Sequence, residues 1–214
     1  MVKSMEIMKG RVKELRKIMK SHKIDALIVP HEDEHLIEYI PEKKERLKWI
    51  TGFSGSAGSA IITKNQIYLF VDGRYLLQAK NETYKLNIKI YNIGQISLLY
   101  FIKNKIKNCS SLGIDPKLIS YYNYKKLIGQ IDNSKLNVIL TKYNLIDCVW
   151  KRKISENKLN KIFFIPDKVA GLAVEEKIKI VRDYLKKNSC DYVFIQNSDS
   201  VAWLLNIRGF DLPY

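Results

Sequence analysis

Residues 5–30 read MEIMKGRVKELRKIMKSHKIDALIVP, and two hydrophobic patterns meet inside them. Met8, Val12, Leu15, Ile18, Met19 and His22 recur in steps of three and four, which predicts a helix over Met5–His22 with one apolar stripe and a Lys/Arg face opposite. Ile24–Pro30 comes directly after as a short, almost wholly apolar run, the pattern of a strand covered on both faces. A helix feeding such a strand is an αβ unit. Working outward, Ala60–Thr63 and Gln66–Val71 read as two strands around a Lys64-Asn65 turn, and Asp72-Gly73 opens a helix through Tyr75–Lys80. Leu86–Asn92 is strand-like, Ile96–Lys107 helical, Ser111–Ile114 a strand ended by Asp115-Pro116, Tyr121–Ile131 helical and Leu136–Thr141 strand-like. This alternation predicts an α/β domain with a mixed sheet and surrounding helices over residues 1–148.

The composition then shifts. Val149–Asn160, VWKRKISENKLN, is charged and has no apolar period, so a linker is expected over 149–160. Beyond it, Lys161–Pro166 reads as a strand or extended arm, Val174–Lys187 as a helix with Val174, Ile178, Val181 and Leu185 on one face, and Cys190–Gln196 as a strand. The order here repeats the beginning of the chain. Lys23–Val29 and Ser189–Ile195 both place an Asp before an apolar strand after a basic helix, Asp33 and Asp199 come next at matching positions, and Trp49–Phe53 is echoed by Asn206–Phe210. The first copy continues past its Gly-Phe through further strands and helices, whereas the second reaches only Tyr214. Residues 161–214 are therefore expected to form part of a second, similar domain with an unpartnered sheet edge.

With 214 residues, 46% hydrophobic and 28% charged, and 13 Tyr, 7 Phe and 3 Trp spread along it, the chain has the composition of a folded globular protein. No apolar run approaches the roughly 20 residues of a membrane span, and Met1–Arg11 lacks the apolar block of a secretory signal, so a cytoplasmic protein is expected. Cys109, Cys148 and Cys190 are odd in number and widely spaced, which fits neither a disulfide framework nor a metal knuckle; they read as buried thiols. The net charge of +15 rests on lysines scattered among acids, Ile, Asn and Tyr, without the arginine clusters of phosphate readers, so neither nucleic acid nor membrane is an expected partner.

Three motifs could carry chemistry. His31-Glu32-Asp33-Glu34-His35 spells the H-E-x-x-H of zinc proteases, but it stands after a strand and Pro30, and its acidic middle lacks the apolar back of a zincin helix. It reads better as a solvated acidic loop. Gly52–Gly58, GFSGSAG, could cradle a phosphate, yet it has neither dinucleotide nor P-loop spacing and precedes a strand; a close-packed turn fits it best. Asp72-Gly73-Arg74-Tyr75 ends a strand, where ligands of α/β sheets lie, and its arginine suits a carboxylate; a structural turn is the other reading.

Taken together, Pro30, Asp33, His35, Glu38–Pro41, Arg46, Trp49, Thr51–Gly58 and Val71–Ala79 resemble the N-terminal domain of the three-domain Xaa-Pro aminopeptidases (aminopeptidase P), relatives of prolidase and creatinase. Trp150, the Pro166–Gly171 approach, Val174–Lys177 and Asp199–Gly209 resemble the start of the second creatinase-like domain, and in that family the first two domains are duplicates. The resemblance implies a non-metal role for the acidic loop. It also implies that chemistry belongs to a C-terminal domain holding two divalent ions, usually manganese, which this chain does not contain.

By the same resemblance, this chain is expected to be an N-terminal region that walls the cleft against all but short peptides with proline in second position and contributes to a homodimer. It is expected to carry no catalytic residue and to bind no metal or other cofactor of its own. His35, Phe53 and Arg74 are the candidates to face substrate, Arg74 because a fixed guanidinium suits a peptide carboxylate; ordering of the loops around the glycine-rich turn is the alternative role for His35 and Arg74. A stand-alone peptide-binding or dimerisation module without hydrolytic activity is the alternative function, and a zinc protease on His31 and His35 a third.

Overall fold

The structure is a computed structural model that describes residues 2–37, 39–106, 108–131, 135–152 and 161–210. It divides into two compact units, Met1–Lys153 and Ile154–Tyr214. In the first unit, helix α1 (Val2–Ser21) buries Val12, Leu15 and Met19 along its stripe, while His22 lies beyond its last turn and is exposed. The helix stops where Lys23 turns to φ 56°, letting Lys23 N–H donate to Lys20 O and Ile24 N–H to Met19 O. Strand β1 (Ala26–Pro30) begins at once.

The remaining elements of this unit are α2 (Arg46–Thr51), β2 (Gly58–Thr63), β3 (Ile67–Val71), α3 (Leu76–Thr83), β4 (Lys89–Asn92), α4 (Leu98–Asn104), β5 (Ser111–Ile114), α5 (Tyr121–Ile131), β6 (Asn137–Leu140) and α6 (Leu145–Trp150). The strands form one sheet in the order β4-β3-β2-β1-β5-β6. Pairings β1/β5, β5/β6 and β3/β4 are parallel, and β2 is antiparallel to both its neighbours. Five strands therefore point one way and end at one edge. The mixed sheet expected from the alternation is thus present.

Alternate residues on the central strands feed two apolar clusters. Leu27, Val29, Ala60, Ile62, Leu69 and Val71 meet the stripe of α1 with residues of α2, α3 and α6, whereas Ala26, Ile61 and Phe70 meet Phe101 and Ile102 of α4 and Leu127 and Ile131 of α5. Both faces of β1 are covered, as its continuous apolar run requires. Helix α6 contains Val149 and Trp150, both packed on the first cluster, so these first two residues of the expected linker 149–160 belong to this unit. Residues 153–160 of that stretch lie outside the described residues. The reading of the cysteines as buried thiols is corrected. Cys109 is half-buried, and Cys148 and Cys190 are exposed, because α6 turns Leu145 and Ile146 inward instead of Cys148.

The second unit comprises β7 (Phe163–Phe164), α7 (Asp167–Ala170), α8 (Val174–Lys187), α9 (Ser198–Leu204) and β8 (Ile207–Arg208), with β7 and β8 antiparallel. Its helix α8 ends as α1 does: Ser189 turns to φ 52°, Ser189 N–H donates to Lys186 O and Cys190 N–H to Leu185 O. The repeat is therefore conformational as well as verbal. Two expectations change here. The stripe Val174, Ile178, Val181 and Leu185 is only half-buried, and the interior position on α8 is Lys177, which donates from Nζ to Trp203 O and Asn206 Oδ1. Cys190–Gln196 forms no strand, because extended backbone is held by pairing and no described residue pairs with it.

Because Leu15 is fully buried under the sheet, Leu15→Ala should cost the first unit roughly 2–5 kcal/mol. Far-UV circular dichroism during urea unfolding should show an earlier transition for that unit.

Candidate functional site

The carboxyl ends of β1, β3, β4, β5 and β6 share one edge, and the loops that leave them gather the motif residues there. His31 N–H donates to Gly58 O, joining the loop after β1 to the first residue of β2. Residues 31–37 form a turn and no helix, so His31 and His35 are not presented on one helix face. Asp33 is fully buried, and its Oδ1 accepts the His35 N–H at 2.9 Å. Glu34 pairs with Lys44 at 2.9 Å and Arg46 at 3.5 Å. Burial and the charge of Asp33 push the Glu32 carboxyl above its ordinary value. Glu34 is thus committed to cations, whereas Asp33 Oδ2 is buried without a hydrogen bond among the described residues, with Lys44 Nζ 3.9 Å away. Among the described residues no group of three His, Cys, Asp or Glu could hold a metal ion, so this donor set does not fit the metal centre implied for the family.

Arg46 is the centre of the loop's charge network. It is buried, and its Nε and Nη2 donate to the two oxygens of Asp147 at 2.9 Å each, a two-pronged pair between α2 and α6. Burial would lower the Arg46 guanidinium, but Asp147, Glu34 and Asp115 outweigh it and hold it above its ordinary value. Asp147 also accepts from Arg152 Nη1 at 2.7 Å. Trp49 and Trp150 stack beside this pair with centroids 5.1 Å apart, Arg11 lying over Trp49 at 4.4 Å and Arg152 over Trp150 at 4.5 Å.

The glycine-rich turn is packed tightly. Gly52 ends α2 at φ 82°, a left-handed conformation that favours glycine. A Cβ on Gly55 would clash with the Phe53 ring and lie 2.9 Å from Tyr75 Cδ1. Ser54 donates to Glu82 through both its N–H and its hydroxyl, Gln78 Nε2 donates to Ser54 Oγ, and Ser56 Oγ bonds Tyr75 O–H. Burial works against the charge on Glu82, yet the bonds from Ser54 and Gln78 hold its carboxyl below the ordinary value. The turn is thereby fastened to α3. Its backbone N–H groups at Phe53 and Ser54 are spent on Thr51 Oγ1 and Glu82, which removes them from any phosphate cradle.

Of the three residues expected to face substrate, two are on the surface. His35 is exposed on the loop after β1. Arg74 lies just after β3 with its side chain 75% exposed, and Asp72 accepts from both its N–H and its Nε. The two loops leave strands separated by β2, roughly 10 Å apart. Phe53 is different: it is 1% exposed in the core and meets Tyr75 edge-on at 5.9 Å. Its side chain supports the turn from below and offers no surface, because the ring fills the space that Gly55 leaves. The network of Ser54, Gln78 and Glu82 and the Arg46–Asp147 pair were not apparent from motifs, since Ser54 and Gln78 are 24 positions apart, Arg46 and Asp147 101, and the helical partners are unremarkable polar residues.

Residues 11–144 match the model of the Creatinase/Prolidase N-terminal domain, and residues 153–214 match a second model of the same description. The chain belongs to the creatinase/prolidase N-terminal domain family. It is 38% identical over 214 residues to Xaa-Pro aminopeptidase 1 of Dictyostelium discoideum, covering 95% of this chain and 34% of that protein. It is 36% identical to the probable Xaa-Pro aminopeptidase P of Laccaria bicolor, over 95% of this chain and 32% of that one. The X-prolyl aminopeptidase of Caenorhabditis elegans, described as a cytosolic enzyme with a di-nuclear active site, superposes with a TM-score of 0.83 at 27% identity, over 97% of this chain and 35% of that chain. The chain thus spans about a third of the length of these relatives. An aminopeptidase from Streptococcus thermophilus shares the fold at a TM-score of 0.52, 20% identity, over 67% of this chain and 98% of that one.

Two measurements check this geometry. Gly55→Ala has to displace Phe53 or Tyr75, so it should lower stability by about 1–3 kcal/mol in urea titrations, more than Gly10→Ala on the open face of α1. The second concerns pH. Burial alone would raise the Glu34 carboxyl, but Lys44, backbone N–H and Arg46 bring it from 4.5 to about 2. Between those values the unfolded chain binds a proton that the folded chain does not, so this contribution is complete above pH 4.5 and is lost as pH falls toward about 2. Glu34→Gln should flatten that part of the stability profile.

Proposed function

We propose that this chain is the N-terminal, non-catalytic region of a metal-dependent Xaa-Pro aminopeptidase, an enzyme that removes the residue preceding proline at a peptide's N-terminus. The observation that carries the reading is the match at 38% identity along 95% of the chain to an Xaa-Pro aminopeptidase, together with the shared architecture of a second such enzyme. In this reading the two divalent ions, manganese by family resemblance, belong to a part of the enzyme outside these residues, where they would polarise the scissile carbonyl and supply the hydroxide.

The contribution of this chain is positional. A loop edge fastened by Arg46, Glu34 and Glu82 holds His35 and Arg74 outward at the ends of the sheet. The Arg74 guanidinium, held by Asp72, suits the carboxylate of a short peptide, and the rigid edge limits access to extended chains. The same region contributes to a homodimer, and the enzyme works in the cytoplasm. Among the described residues no helix is long and apolar enough to cross a membrane.

The test is a chimera in which these 214 residues replace the matched third of the Dictyostelium enzyme. With manganese it should release the first residue from Xaa-Pro peptides at a rate within about tenfold of the parent, a loss below about 1.4 kcal/mol. Arg74→Ala should raise KM for short peptides several-fold and leave kcat unchanged. A folded chimera that binds such peptides without cleaving them would instead make this region a binding module.

A further inference from the structure

The lysines that the sequence scatters are gathered by the fold onto one helix layer. Residues 93–146 hold eight lysines, no arginine and no acid other than Asp115 and Asp132. Asp115 is already engaged, accepting from Lys117 N–H and from Asn144 Nδ2. Helices α4 and α5 lie side by side over one face of the sheet, with Phe101, Ile102, Leu127 and Ile131 turned inward. Each leads back from the edge where β4 or β5 ends to the start of the next parallel strand. Their outward faces carry the same pair of side chains. Tyr100 is followed by Lys103, Tyr121 by Lys125 and Tyr122 by Lys126, spacings of three and four that make neighbours on a helix surface. The tyrosines are 51%, 75% and 73% exposed, and the three lysines are exposed as well. No carboxylate among the described residues pairs with these lysines.

We propose that the outer face of α4 and α5 docks an acidic segment of another protein, an inference that stands apart from the aminopeptidase reading. Charge complementarity selects that occupant. Unopposed ammonium groups attract carboxylates and repel a second copy of a chain whose net charge is +15. Tyrosine adds amphipathic contact area at small entropic cost, and its hydroxyl donates to a carboxylate. A bilayer would be met by apolar side chains that insert, yet on α4 and α5 no described Leu, Ile, Phe or Trp is exposed. A nucleic acid would be met by arginine forks on its phosphates, and these two helices have no arginine.

The probe is a fluorescent peptide of about ten glutamates, titrated with the 214-residue chain and followed by anisotropy. It should bind at about 50 mM salt and weaken about tenfold by about 200 mM, as contacts between exposed charges do. Lys103→Glu, Lys125→Glu and Lys126→Glu together should weaken binding at low salt about tenfold or more. The same exchange at Lys9, Lys13 and Lys20, exposed on α1, changes the net charge equally and should leave the affinity within about twofold. Equal losses in the two triple variants would mean attraction to the molecule as a whole and would overturn the proposal. Tyr100→Ala with Tyr122→Ala should weaken binding several-fold with its salt dependence unchanged; an unchanged affinity would also overturn it. All of these side chains are exposed, so the variants should keep the far-UV circular dichroism and urea midpoint of the parent. Oligouridine or phosphatidylserine vesicles that bind more tightly than the peptide, and lose that binding in the α4–α5 lysine variant, would name a nucleic acid or a membrane as the occupant and overturn the proposal.

Discussion

The two-sided burial of β1 is the constraint on which the first unit rests. A strand of Ala, Leu, Ile and Val has no polar side to offer water, so every residue of Ala26–Val29 requires a covering layer. Helix α1 supplies one layer and α4 with α5 the other, while β2 and β5 take up the two rows of backbone groups. The order of strands is a consequence. A parallel partner such as β5 needs a long crossover, and α2 through α4 provide it; the antiparallel partner β2 is reached from β1 on the same edge, which places the acidic loop and the glycine-rich turn side by side.

That edge is kept rigid by polar interactions of long sequence separation. Arg46 and Asp147 are 101 positions apart and meet in a two-pronged, largely buried pair. Losing one partner of such a pair strands a charge in the interior, which makes it a strict condition on the geometry rather than a large net source of stability. The stack of Arg11, Trp49, Trp150 and Arg152 lies along the same junction of α1, α2 and α6. Together they close the first unit at its last helix, a few residues before the chain enters the second.

Much of this was legible because it is local. The apolar period of α1, the runs of β1 and β3, the Lys64-Asn65 turn and the span of α5 are written in adjacent residues, and the structure has them. The failures share a cause. Phe53, expected to face substrate from a turn read as close-packed, has its ring in the core, in the space that Gly55 leaves by having no Cβ. Cys148 reads as core from its type alone, while its place on α6 is decided by Leu145 and Ile146. Lys177 is buried against expectation because Trp203 and Asn206 offer it oxygens and an aromatic face. Cys190–Gln196 has the sequence of a strand, but strand is a property of pairs, and a sequence pattern carries no information about whether the partner is present.

The two units differ in how far their apolar segments are covered. Both faces of β1 are covered in the first unit, whereas Tyr192 and Phe194 of the second unit stand in solvent. The most direct measurement of that contrast is brief chymotrypsin digestion of the native chain with intact-mass analysis of the products. Early cleavage is predicted after Tyr192 or Phe194, which are 90% and 88% exposed, with the sheet of the first unit resisting throughout. Resistance at Tyr192 and Phe194 equal to that of β1 would contradict the contrast.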